Sequence, residues 1–286
     1  MNNQIGRNRV DYLLLAMKYF FLIAFSALTI YPVLYALSGS FKSNFEVMLG
    51  GTLWPKEWIL TNFVELWEQF NFFRYATNSI FVSLMTTLLS LIICSMAGFC
   101  LARKTFPGRA LLERTILATM FISIGTVTLR PIFMMMISAN LHTTLWPIVF
   151  VIVSANMGTF IFLISKFIRG VPRELDEAAY IDGAGTFRIY WQIILPLIRP
   201  VLGVVGLFSF RLAWNDFINA NVFSIGQPQL RTLTAGVVSL RHGMHAAAQW
   251  NIMLTGASLT IIPMLIVYIF CNKTFISGLS SGAVKG

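Results

Sequence analysis

Two arginines stand inside long apolar runs of this 286-residue chain, Arg130 and Arg211. A charged side chain within a bilayer costs at least about 2.5–3.5 kcal/mol on insertion scales, so it faces a cavity or a partner. Guanidinium groups also bind carboxylate or sulfate in bidentate fashion, which makes both arginines candidate contacts for an anionic cargo. Asn215 and Asn219 lie close by in sequence and could take hydroxyls. Asp216 is the nearest acid, but five residues past Arg211 it sits roughly 140° around a helix, an awkward intrahelical pair. Three readings stay open: Arg130 snorkels to an interface, the arginines pair with an acid on another chain, or they meet the cargo. His242 and His245 have an i, i+3 spacing, yet Gly243 lies between them and no carboxylate joins them. They read as loop residues, and no metal is expected. No GxxxxGK[ST] occurs, so this chain holds no nucleotide cofactor of its own and is not an enzyme.

The elements that must position these residues are membrane helices. The chain is 57% hydrophobic and 11% charged, with 25 Phe and 7 Trp, far from the balance of soluble domains and suited to lipid contact and interfacial belts. The reading is all-α: a polytopic membrane protein of one domain, 1–286. Its six transmembrane helices fall at about 12–37, 78–101, 115–137, 145–167, 197–217 and 251–272. The third run is expected to be interrupted at Gly125 and again at Arg130-Pro131, and 38–77 forms an extramembrane loop with interfacial helices. The long 222–250 connector is the best candidate for receiving a soluble partner. Cys94, Cys100 and Cys271 lie in apolar runs and read as small hydrophobes without disulfides. The net charge of +10 is not a nucleic-acid signal. Fourteen of the 21 Lys and Arg fall on the side that holds both termini, the 102–114 turn and the 166–199 segment. That side is therefore the cytoplasm.

The most polar part of that side is 174–200. Pro172 suits a helix start, and Glu174, Asp176 and Glu177 place negative charge at the helix N-terminus. Leu175, Ala178 and Ala179 make one apolar stripe that a partner could bury. Gly183 is placed to end this helix, and Gly185-Thr186 to begin another running into Leu195-Pro196.

Glu177-Ala178-Ala179, then Gly183, Ile193 and Leu195-Pro196 at fixed spacing resemble the EAA signature of permease subunits of binding-protein-dependent ATP-binding-cassette (ABC) importers. Leu53-Trp54-Pro55, the 102–109 turn, Trp214-Asn215-Asp216-Phe217 and the closing Gly282-Ala283-Val284-Lys285-Gly286 resemble the MalG-like sugar-importer subfamily. The resemblance implies a type I importer permease fold and a role in moving an oligosaccharide from an extracytoplasmic binding protein into the cytoplasm of a bacterial cell. It also implies a complex with a second permease and an ATPase dimer that binds ATP and Mg. Coupling to the ATPase would fall to the 172–195 segment, through Glu174, Glu177, Ala178, Ala179, Asp182, Gly183, Ala184, Leu195 and Pro196. Val284, Lys285 and Gly286 would touch the ATPase as well. The arginines then suggest an acidic, uronate-containing cargo, with a neutral sugar as the alternative. An ion-coupled secondary transporter is the more distant alternative, since no internal repeat is evident and the spans hold few ionisable residues.

Overall fold

The computed structural model describes residues 2–121, 125–240 and 249–283, which are helical with short connections and contain no strand. Four helices are long and apolar enough to cross a membrane: α1 (Asn2–Gly39), α4 (Phe72–Arg103), α7 (Trp146–Arg169) and α14 (Trp250–Ala283). Two bent pairs reach that length together, α5 (Arg109–Phe121) with Gly125–Ser138, and Thr186–Leu197 with α11 (Arg199–Trp214), so the described residues give four candidate spans, or six where each bent pair counts as one. Among the described residues the third run is interrupted at Gly125 and not at Arg130-Pro131. Gly125 opens a short 3-10 turn at φ +63°, and Pro131 lies in the first turn of α6 (Leu129–Ser138), where its missing N–H costs nothing. The last helix continues past 272 to Ala283.

The described residues form two compact units. The first, Met1–Phe70 with Ser239–Leu259, contains α1, α2 (Asn44–Leu49), α3 (Thr61–Gln69) and the start of α14. Asn62 is its hub: the buried amide donates to the carbonyls of Ser40 and Lys42, both at 2.9 Å, and accepts from Asn251 at 2.8 Å. Thr255 and Ser258 on α14 donate to the carbonyls of Ser40 and Ala36. Lys42 is buried, with its ammonium on the Thr52 carbonyl and over the Tyr35 ring. Backbone carbonyls freed at the end of α1 are thus met by side chains, as a low-dielectric setting requires. Trp54, Trp58, Leu60, Val64 and Trp67 point outward, in keeping with an interfacial loop.

The second unit, Asn71–Val238 with Thr260–Gly286, is organised around α4. Its buried positions Ser79, Ser83, Thr86, Ser90 and Ser95 repeat at helical spacing, interleaved with Val82, Cys94 and Gly98. Small and hydroxyl-bearing residues let membrane helices approach closely, and α7 and α11 pack along this face. At Gly98 a Cβ would meet Ile164 Cγ2 at 2.9 Å and the Ser165 backbone nitrogen at 3.2 Å. At Gly158 on α7 it would meet Thr119 Oγ1 at 2.8 Å and the Ile116 carbonyl at 3.2 Å, marking where α5 crosses. At Gly206 the nearest atom is an ordinary 3.7 Å away.

These distances set an ordered prediction. Gly98→Ala lowers the stability of the detergent-solubilised protein by about 1–3 kcal/mol through overpacking, whereas Gly206→Ala changes it by less than about 0.5 kcal/mol. Thermal unfolding of the two variants beside wild type checks the order.

Candidate functional site

The 174–196 segment is built from four short pieces. α8 (Glu174–Ile181) begins just after Pro172, with Glu174, Asp176 and Glu177 in its first turn. It ends on Gly183, whose φ of +79° belongs to the left-handed region that glycine enters cheaply. The Ala184 amide donates to the Ala179 carbonyl at 2.9 Å and the Gly183 amide to Tyr180 at 3.0 Å, the paired bonds of a Schellman cap. Gly185, extended, leads into α9 (Thr186–Ile189). A π-helical turn, Tyr190–Ile194, follows, then α10 (Leu195–Leu197) and a 79° bend into α11. Pro196 and Pro200 have no N–H to give to the preceding turn, which accounts for the local rearrangement.

Burial divides the segment into two faces. Asp176 and Ala179 point into the protein, as do Ile189, Tyr190 and Ile194; Ile193 and Leu195 are half-buried against the same cluster, and Pro196 is half-buried. The expected Leu175, Ala178 and Ala179 stripe is therefore split, because Ala179 shares the helix face of Asp176 and joins the core while Leu175 and Ala178 stay exposed. Glu174, Glu177 and Asp182 are exposed and carry no ion pair among the described residues. Beside them Ile181 is 87% exposed, Phe187 68% and Trp191 59%, the last two rings stacked at 6.4 Å. The outward face is an apolar and acidic platform.

The inward face is held in large part by Arg103 and Lys104, two residues of the basic 102–114 turn. Arg103, at the end of α4, approaches Asp176 Oδ2 with its Nε at 2.8 Å, both side chains nearly buried at 5% and 12% exposure. Its Nη2 donates to the Val171 carbonyl at 2.8 Å. Lys104 donates to Tyr180 Oη at 2.5 Å and Thr186 Oγ1 at 2.8 Å and lies over the Tyr180 ring. The Lys104 hydrogen bond, followed by that of Thr186, holds the Tyr180 phenol below its usual pKa. The Ser95 and Tyr190 hydroxyls share a buried hydrogen bond of 2.7 Å. The available signal was helical phase: Asp176 lies three residues before Ala179 and must face the same way.

The candidate cargo residues are partly engaged with one another. Asp216 accepts from Asn219 Nδ2 at 2.7 Å and from the Ala220 amide at 2.9 Å, so it starts α12 (Ile218–Phe223), and the Asn219 amide is engaged there. Asn215 is exposed and donates to the Arg211 carbonyl. Arg130 and Arg211 are exposed, and among the described residues neither has a carboxylate partner; Arg211 lies 5.6 Å over the Phe208 ring. Much of the 222–250 connector is packed rather than free. α13 (Leu233–Ser239) buries Leu233, Ala235 and Val237, and the Leu233 amide donates to Ser79 Oγ at 2.7 Å. Its exposed tip is Ile225 and Gly226 with Pro228 and Gln229. His242, His245 and the tail residues Val284, Lys285 and Gly286 lie outside the described residues.

A family model described as "Binding-protein-dependent transport system inner membrane component" matches residues 90–276. The chain belongs to that family. The ORF2 product of Caldicellulosiruptor sp. (strain Rt8B.4), described as an ABC transporter permease, is 36% identical over 94% of this chain and 96% of its own length. The arabinooligosaccharides transport system permease protein AraQ of Halalkalibacterium halodurans is 31% identical over 93% and 94% of the two chains. Among solved structures, a bacterial ABC transporter involved in the import of the acidic polysaccharide alginate matches with a TM-score of 0.81 over 93% of this chain and 98% of that one, at 22% identity. The all-α importer-permease fold expected from the sequence is thereby borne out. This permease has the signature residues Gly183, Ile193, Leu195 and Pro196 shaping its segment from within, while Glu177 and Ala178 face outward.

A Cβ at Gly183 would meet nothing within 4 Å, so substitution there is opposed by backbone strain alone. Gly183→Val costs about 1–2 kcal/mol in the left-handed conformation and speeds amide exchange at 183 and 184 about tenfold, whereas Gly183→Asn, which tolerates that region, stays near wild type. Hydrogen exchange read by mass spectrometry separates the two.

Proposed function

We propose that this permease lines the transport path of an ATP-driven importer that moves an oligosaccharide from an extracytoplasmic binding protein into the cytoplasm. The observation that carries the reading is the outward face of 174–191. Glu174, Glu177, Asp182 and Arg188 are exposed along with Ile181, Phe187 and Trp191, on a segment whose other residues anchor it in the protein. Such a face is costly to leave in water and suits a cleft on a partner. The partner we assign is an ATPase dimer that binds ATP and Mg, which places this face and both termini in the cytoplasm. Residues Val284, Lys285 and Gly286 would reach the same partner. A second permease would complete the path, and the tip at Ile225–Gln229 would meet the binding protein. The oligosaccharide cargo is supported by relatives named for arabinooligosaccharides and for diacetylchitobiose.

Ile181→Asp places a charge at the most exposed apolar position of the face. Co-purification of the ATPase through the tagged permease then falls about tenfold, the loss of one well-buried contact of roughly 1.5 kcal/mol, while the permease still inserts. Undiminished capture by Ile181→Asp refutes this docking face.

A finer reading concerns the cargo. Arg130 and Arg211 sit in span helices, exposed and without a carboxylate among the described residues, a costly arrangement unless an anion or a partner acid arrives. We assign them to a carboxylate-bearing, uronate-containing oligosaccharide, with Asn215 nearby for a hydroxyl. Asn219 is withdrawn from that role because it holds Asp216. In reconstituted vesicles, Arg211→Gln and Arg130→Gln lower uptake of a uronate oligosaccharide at least about fivefold relative to a neutral one. Equal loss for both sugars, or wild-type preference for the neutral one, removes the acidic reading.

A further inference from the structure

The chain enters the 174–196 segment from α7 and leaves it into α11, so a push on the segment could pass into the membrane along the backbone alone. The side chains describe a different route. Five separate ties run from α4 and the residue that follows it, four to points spread along the segment and one to Val171 just before it. Ser95 reaches Tyr190 in the π-helical turn, Arg103 reaches both Val171 and Asp176, and Lys104 reaches Tyr180 and Thr186. The Arg103–Asp176 pair is the enclosed ion pair among these. Its two charges are nearly out of water, so removing either leaves the other buried without compensation. The segment itself is poorly suited to carry force along its backbone. It contains a left-handed glycine, a π-helical turn and a 79° bend within about two dozen residues. α4, by contrast, is one unbroken helix of 32 residues against which both α7 and α11 pack.

We infer that α4 carries the displacement of the coupling segment into the membrane, with Arg103 as the positioning residue that keeps segment and helix moving as one body. This inference rests on the proposed docking of the segment to an ATPase. Arg103 touches neither cargo nor nucleotide in this scheme; it acts through Asp176 and the Val171 carbonyl. Lysine at 103 cannot serve both partners at once, since it lacks the fork that places Nε on one and Nη2 on the other.

The test uses the whole importer in proteoliposomes, with Cys94, Cys100 and Cys271 first replaced by alanine. Arg103→Gln lowers the ratio of solute taken up to ATP hydrolysed by about five- to tenfold, and Arg103→Lys recovers only part of it. A double variant, Arg103→Cys with Asp176→Cys, behaves like Arg103→Gln until a short thiol-specific cross-linker joins the two positions. Cross-linking then restores the wild-type ratio, a rescue that a merely destabilised fold would not show. The inference is overturned if the uncross-linked double variant couples normally, or if cross-linking leaves it uncoupled. Failure of both Arg103→Gln and the double variant to assemble with the ATPase also overturns it, because the pair would then serve folding. Ile181→Asp is the separate control on docking: if that variant retains the ATPase, the coupling reading itself fails, whatever the result at Arg103.

Discussion

The second unit depends on how closely α4 and α7 approach at Gly98. With Ile164 Cγ2 standing 2.9 Å from where a Cβ would be, no other residue fits without a shift. Lipid offers apolar side chains no drive to leave it, so helices in a membrane gain most from such close backbone contact and from the small polar residues that permit it. The buried serine and threonine row of α4 serves this purpose over most of the helix length. Ser79 at one end takes an amide of α13, and Ser95 toward the other meets Tyr190.

That packing makes the irregular elements possible. A bilayer core tolerates broken helices only where protein covers the freed backbone groups. The π-helical turn at Tyr190–Ile194 and the bend at Ile198 lie against α4 and α7, with Tyr190, Ile194 and Ile198 buried in one cluster. In the same way α12 and α13 fold back over α4, α6, α7 and α11, with Phe223 against Phe133 of α6 and Thr234 donating to the Trp214 carbonyl. The stretch that sequence presents as a long connector is held down by these contacts.

The EAA signature acquires two meanings from its geometry. Gly183, Ile193, Leu195 and Pro196 define the path of the backbone, by a left-handed turn, by burial and by a missing amide donor. Glu177 and Ala178 lie outside, beside the apolar side chains of Ile181 and Phe187. One motif therefore combines the shape of the segment with the surface it offers, and substitutions in the two sets act by different physical routes.

Much of this was legible in the amino-acid sequence. Long apolar runs can only be membrane helices, because backbone polar groups in lipid must bond within their own segment. The acids after Pro172 and the glycine at 183 placed a short helix and its end by capping rules that are local, and the structure has both. Other features required three dimensions. Asp216 looked like a free acid among transport residues, yet its partners, Asn219 and the Ala220 amide, are chosen by the turn after Trp214. Arg103 and Lys104 looked like topology signals, and only the meeting of residues about 70 to 80 positions apart turns them into ties to Asp176, Tyr180 and Thr186. Local order follows from hydrogen bonds a few residues long, which sequence spacing records directly. Which charge is neutralised by which partner depends on burial at a helix crossing, and no spacing along the chain encodes that.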